Sequence, residues 1–428
     1  MFETSVNQDR LSKTLLFCCD STIAGLVFLL PFLMGGREAW GHWFLISSAL
    51  LLGVCWCAWA ARNGCRYRTS WLELFFLTGL GLAAFQTLPQ TRELLSAVSP
   101  EYERLLPTWA ATQSVTDSPS SAAQSWSTIS LTPVETQHAW WVFLAYAVIT
   151  TVLFQRINSR RDCHAMLRWV AVGGLVMTLF SVVQWVTSNG RFFWFYEHPY
   201  TDPTAHLKGA FTNRNHFAQF LTLSLGPLLW WLMTTVRRVA EPAAGNSALA
   251  APAPARDSAG RSRRSRSRSK SRALWKLSGR FVRTSGHQQD DSQRLLNAGV
   301  VLLLIAFSVV AVAVLMSLSR GGILAAVIAV LTAIVCLWRS VKVGGAMAGL
   351  VIGGSALFLT MLALTDQEQV QIKLDQLLSG DAEAVDANGN RRAVWAADAR
   401  VIERFPILGT GVGSHRDVYA IYMDNYAD

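Results

Sequence analysis

Charge is what this chain has least of. Only 15% of its 428 residues are Asp, Glu, Lys or Arg, where a soluble domain carries about 25%. A surface so poor in charge, with 51% hydrophobic residues and a mean hydropathy of +0.28, excludes an ordinary water-soluble fold. Apolar runs of about 20 residues point instead to an integral membrane protein. Cysteine is absent from every loop placed outside below. Cys18, Cys19, Cys55, Cys57, Cys65, Cys163 and Cys336 all fall in spans or in loops on the basic side, so no disulfide framework is implied. Cys55, Cys57 and Cys65 also lack a fourth ligand and the spacing of a zinc site. No internal repeat of fixed period is present, and no paired-carboxylate metal motif stands out in the exported loops.

The formal charge of +10 looks like a nucleic-acid signal but is local. Residues 237–294 hold 14 Lys/Arg against four acids, which accounts for the whole excess, and the other 24 basic residues are matched by 24 acidic ones. Within that stretch, 240–294 begins Ala/Pro-rich and becomes an Arg/Ser run at 261–272. Such a composition cannot bury a core and reads as disordered. No aromatic residue interleaves the run, so contact with anionic lipid or plain solvation is preferred over nucleic acid, and no nucleic-acid partner is expected.

Hydropathy predicts an all-α, polytopic helical bundle of about nine transmembrane helices, near 15–35, 43–61, 70–88, 139–155, 166–187, 216–236, 296–318, 322–338 and 344–364. The length of the first run, Asp20 near its start and the lack of a small-x-small cleavage site favour a retained span over a signal peptide. Domain organisation follows: 1–236 with six spans and an exported loop at 89–138; 237–295 as the basic loop; 296–364 with three spans; and 365–428 as the beginning of a large exported loop. Arg62, Arg66 and Arg68 follow the second span, Arg156, Arg160 and Arg161 the fourth, the basic loop the sixth, and Arg339 with Lys342 the eighth. The positive-inside rule therefore puts the N-terminus in the cytoplasm. Loop 89–138 is Pro-, Ser- and Thr-rich, and its stretch 126–133 reads either as a short ordered return or as a solvated linker.

Two clusters sit where spans meet water on the exported side: Gly209-Ala210-Phe211-Thr212-Asn213-Arg214-Asn215-His216 and Ser317-Leu318-Ser319-Arg320-Gly321-Gly322. Arginine is costly in lipid, so one held at the rim calls for an anionic partner, and its planar fork of donors suits phosphate oxygens. Lys208, Arg214 and His216 add cationic or switchable groups, with Asn213 and Asn215 as neutral donors, at a helix start whose free N–H groups also favour an anion. The competing reading is that Asn213 or Asn215 caps the helix while Arg214 snorkels to headgroups. For Arg320 it is an interfacial anchor on a tight glycine reversal.

The tail carries a third pattern, Arg391-Arg392-Ala393-Val394-Trp395, then Phe405-Pro406-Ile407-Leu408-Gly409-Thr410-Gly411-Val412-Gly413-Ser414. Residues 391–404 have helical periodicity through Val394, Trp395, Ala397, Val401 and Ile402. The glycines form a turn rather than a dinucleotide site, since no βαβ context precedes them. The acidic run 380–390 misses calcium-loop spacing and reads as a solvated turn.

These three patterns, in this order and at this topology, resemble the O-antigen ligase/polymerase superfamily, most specifically over 209–222 and 300–428. The resemblance implies a bacterial inner-membrane, multi-pass glycosyltransferase of lipopolysaccharide or exopolysaccharide biosynthesis, needing no cofactor. It moves a glycan from an undecaprenyl diphosphate carrier to lipid A-core or to a polysaccharide, within membrane lipids. It implies that Arg320 and Arg391 match the arginines associated with the carrier diphosphate, with Asn213 to His216 lining the same cavity. The family also places a histidine late in its large exported loop to activate the acceptor hydroxyl. No match occurs here, so that residue is expected beyond Asp428, the chain reads as truncated, and His415 is not its equivalent. A polymerase of the same superfamily is the alternative. A transporter of lipid-linked glycans predicts charges within several spans and broken helices at mid-membrane, whereas this chain gathers its arginines at one face.

Overall fold

A computed structural model describes residues 2–102, 105, 127–198, 204, 206–249, 294, 297–340 and 391–423, with Arg320 and Arg391 placed by backbone alone. The centre of loop 89–138, most of the Arg/Ser segment, the expected ninth span and the acidic run at 380–390 lie outside the described residues. Every regular element among those described is helical, apart from one isolated bridge between Phe192 and Tyr196. Among the described residues, six helices are long and apolar enough to cross a membrane: Arg10–Phe32, Ala39–Asn63, Pro133–Arg156, Arg160–Val186, Arg214–Val239 and Asn297–Met316; Trp71–Thr87 and Gly321–Cys336 are shorter apolar helices. The chain is a membrane protein.

It divides into two compact units, one of residues 1–163 with 371–428 and one of residues 164–370. The first contains α1 (Phe2–Phe28), α2 (Ala39–Asn63), α3 (Trp71–Thr87), α4 (Arg92–Val98) and α5 (Pro133–Arg156). The tail adds α10 (Arg391–Arg404) and the short α11 (His415–Val418). Local signals set the helix ends. Gly64, at φ +59, closes α2 with its N–H on the Ala60 carbonyl, the left-handed stop glycine permits. The Ser70 hydroxyl accepts from the Leu72 N–H to start α3, and proline opens α5, where its missing N–H is not needed. Helix α2 packs on α1 and α5, and α3 on α5, around Leu45, Ala49 and Ala145.

The two ends of this first unit differ in chemistry. At one, Arg156 makes two bonds to Asp20, at 3.0 and 2.9 Å, and approaches Asp162 at 3.5 Å. Beside it Gln155 exchanges hydrogen bonds with the Arg68 backbone at 3.1 and 2.7 Å, and the Arg68 guanidinium donates to the carbonyls of Phe154 and Ile157. At the other end lie 29–38, 88–102, 127–132 and a contact between His42 and His138 at 2.8 Å.

The second unit contains α6 (Arg160–Val186) from His164 on, α7 (Arg214–Leu249), α8 (Asn297–Met316) and α9 (Arg320–Ser340). Helix α7 runs on past the hydropathic span ending near 236, through a stretch carrying Ala240, Ala243, Ala244 and Ala248, residues of high helix propensity. It packs against α9, and Leu229 and Met233 meet Phe307, Val330, Ala333 and Ile334.

Candidate functional site

The segment before α7 is not a free loop. Leu207, Lys208, Ala210 and Phe211 are all buried, and the Phe211 N–H closes a turn on the Lys208 carbonyl at 3.0 Å. Gly209 turns the chain at φ +51, and a Cβ there would stand 2.3 Å from the Ser181 hydroxyl of α6. Any side chain would push this segment off α6. Phe211 then packs near Phe217 and Phe220, with ring centroids 6.0 and 5.5 Å apart.

Asn213 caps α7. Its side-chain oxygen accepts from the Asn215 N–H at 2.8 Å and its carbonyl from Phe217 at 3.1 Å, the geometry of an N-cap. Ser319 does the same for α9, its hydroxyl accepting from Gly322 at 3.1 Å and its carbonyl from Ile323 at 2.9 Å. Between α8 and α9 only Ser317, Leu318 and the cap Ser319 intervene, with Leu318 at φ +52 and the Ser317 hydroxyl accepting from the Ser319 N–H.

One bond joins the two clusters. The Ser319 hydroxyl donates to the side-chain oxygen of Asn215 at 2.7 Å. Immediately below, a Cβ on Gly322 would lie 2.3 Å from the Ala218 Cβ, so the first turns of α7 and α9 touch through the missing side chain. Two helix N-termini therefore start side by side, each with arginine as its first residue, Arg214 and Arg320. Each terminus has N–H groups outside the helical ladder and a partial positive charge, and together they form a place suited to an anion.

The cations divide. Arg214 donates to His206 Nε2 at 2.8 Å. Lys208 is buried with its ammonium 5.6 Å from the centroid of the Phe192 ring, a cation–π arrangement beneath a tight turn tied by Phe192 and Tyr196, at 2.7 and 2.8 Å. His216 is exposed on the first turn of α7. His206, Phe192 and the bridging role of Ser319 were not foreseen. The single sequence signal for His206 was its place eight residues before Arg214.

Arg391 belongs to the first unit, as the first residue of α10. There the tail is bonded to the ends of two apolar helices. Gln86, in the last turn of α3, donates to the Leu408 carbonyl at 2.7 Å and accepts from the Val412 N–H at 3.2 Å. The Leu131 N–H reaches the Thr410 carbonyl at 2.9 Å, and the Thr136 hydroxyl of α5 reaches the Val412 carbonyl at 2.7 Å. Gly409, Gly411 and Gly413 all have positive φ, and a Cβ on Gly411 would stand 2.4 Å from the Ser130 hydroxyl. The stretch 127–132 is thus an ordered return. Tyr102, packed with Leu95 and Ile129, donates to the Thr128 carbonyl at 2.8 Å, and burial pushes its phenol above the ordinary range.

Residues 300–428 match a family model described as O-antigen ligase, about a third of the chain. No curated protein and no solved structure matches the sequence.

Proposed function

From the match of residues 300–428 to the O-antigen ligase family model, we propose that this protein is an O-antigen ligase-like glycosyltransferase. It transfers a glycan from a polyprenyl diphosphate, of the undecaprenyl type, to a hydroxyl of a lipid A-core or polysaccharide acceptor, at the exported face of the inner membrane. The observation that carries the reading is the Asn215–Ser319 bond, which sets the N-termini of α7 and α9, and with them Arg214 and Arg320, at one place.

The chemistry follows from the leaving group. The acceptor oxygen attacks the anomeric carbon, the bond to the diphosphate breaks, and negative charge grows on a phosphate oxygen. Donors fixed before the reaction lower that charge most, because they need no reorganisation as it forms. Arg320, the first residue of a helix capped by Ser319, is assigned as such a donor; Arg391, the first residue of α10, is assigned to a lipid-borne phosphate. Arg214 is oriented by His206, and Lys208 adds a fixed positive charge behind the turn. Asn213 and Asn215 work through the caps, and exposed His216 is assigned to glycan hydroxyls. The acceptor proton goes to a general base, the role the family resemblance gives to a histidine of the large exported loop. A ligase and a polymerase share this donor half of the reaction.

The test uses the complete protein in membranes with a polyprenyl-diphosphate-linked glycan. Arg320→Ala is expected to lower transfer roughly 100-fold, as loss of one preorganised donor does. Arg320→Lys restores part of it, since charge survives but the planar fork does not. Unchanged transfer by a normally inserted Arg320→Ala protein overturns the assignment.

A further inference from the structure

Helix α10 exposes large apolar side chains beside charged ones. Three of its charged groups are engaged with neighbouring segments of the tail and of 99–102: Asp398 with His415 at 3.0 Å, Arg400 with the Tyr422 carbonyl at 2.8 Å, and Arg404 with Glu101 at 3.4 Å. Ala397 and Phe405 are buried. On the outward side, positions 395, 399 and 402 fall in one stripe at helical spacing. There Trp395 is 67% and Ile402 68% exposed, and Ile407 just beyond the helix is 69% exposed.

We propose that this stripe is an interfacial face. Trp395, Ala399, Ile402 and Ile407 rest in the bilayer surface on the side where α3 ends and α5 begins. Two observations favour lipid over a protein partner. Residues 408–412 are bonded to Gln86 and Thr136, in the last turn of α3 and the first turn of α5, which is where these apolar helices leave the hydrocarbon. The adjoining surface of α3 is apolar and exposed through Leu77, Leu82, Phe85 and Leu88, so the outward face of the tail continues a lipid-facing belt. Tryptophan concentrates at that depth, and Arg392 and Glu403 flank the stripe where headgroups and water begin. For the functional reading above, on which this last clause rests, the consequence is that Arg391 starts at headgroup depth, where a lipid-borne diphosphate lies.

Depth can be measured without activity, so the two proposals fail separately. In a protein whose native cysteines are replaced by serine, Trp395→Cys, Ile402→Cys, Ile407→Cys and Glu403→Cys each receive a nitroxide in phosphatidylethanolamine/phosphatidylglycerol vesicles. At 395, 402 and 407 collision with oxygen is expected to exceed collision with a water-soluble nickel chelate several-fold, with the order reversed at 403. Greater access to the chelate at the three apolar positions means water, and low access to both means a protein cover; either overturns the proposal. Should the cysteine-free chain fail to fold, a benzophenone amino acid at position 402 of the unaltered chain answers the same question. Adducts with lipid support the proposal, and adducts with protein or with neither refute it.

Discussion

A serine hydroxyl at position 319 serves two helices at once. It caps α9 by accepting from Gly322, and it spends its own proton on Asn215. Ser319 is 1% exposed, so loss of either partner leaves a buried polar group without compensation. Asn215→Ala is expected to destabilise the protein by about 1–3 kcal/mol, and Ser319→Ala by a similar amount, about 1 kcal/mol of it from the lost cap. The double variant loses less than the sum of the two, with a coupling of about 1 kcal/mol for one such bond. Thermal or denaturant unfolding in detergent reads the cycle, and strict additivity would mean that the two side chains do not meet. Chemistry at this scale was half legible in the sequence. Asn213 before a helical run announces a cap, and an arginine at the rim announces an anion. The Asn215–Ser319 pairing was not legible, because it joins residues 104 apart in sequence and no local pattern encodes a contact of that range. Lys208 reads as one more exposed cation until the fold buries it against Phe192.

Between elements, the approach of α7 and α9 depends on Gly322 facing Ala218. Gly322→Ala puts two methyl groups in one place and is expected to cost about 1–3 kcal/mol, with glycan transfer falling as Arg320 shifts with its helix. Ala218→Gly in the same chain vacates the space and should return much of both. If the pair is no better than Gly322→Ala alone, the close approach is not what the glycine serves. The tail depends on Gln86 in a comparable way. One amide meets both Leu408 and Val412, so Gln86→Leu removes the partner of two backbone groups. That is expected to release 405–414 to limited proteolysis while the apolar helices stay intact; equal protease resistance would show the contact to be incidental. Hydropathy alone announced these elements, since a run of apolar residues bounded by Gly, Pro or Ser has few other fates in lipid. Periodicity also marked 391–404 as helical, but it left the apolar set undivided. Val394, Ala397 and Val401 turn inward, whereas Trp395 and Ile402 turn out, a division the pattern could not reveal because both sets are apolar.

At the scale of the molecule, the first compact unit sorts its loops by charge. Arg62, Arg66, Arg68, Arg156, Arg160 and Arg161 gather near one end, where Arg68 and Arg156 are tied to Gln155, Asp20 and Asp162. The other end carries α4, the return at 127–132 and the tail, bonded to one another. Segments bonded together in this way share one side of the membrane, so two reporters suffice to orient the unit. Retention of basic residues in the cytoplasm then assigns the sides. A chain keeping only Cys65 should resist a membrane-impermeant maleimide in intact spheroplasts and react in inverted vesicles. One whose single cysteine is Ala97→Cys, on exposed α4, should show the reverse. Because Gln86 and Thr136 fasten the tail to that same end, reaction at 97 from outside also carries α10 and Arg391 outward. A cysteine placed there must follow position 97 and not 65, whichever way the pair reads. Labelling of Cys65 from outside would invert the unit and remove Arg391 from the face where lipid-linked glycans are consumed, leaving the transfer reaction proposed above without one of its arginines.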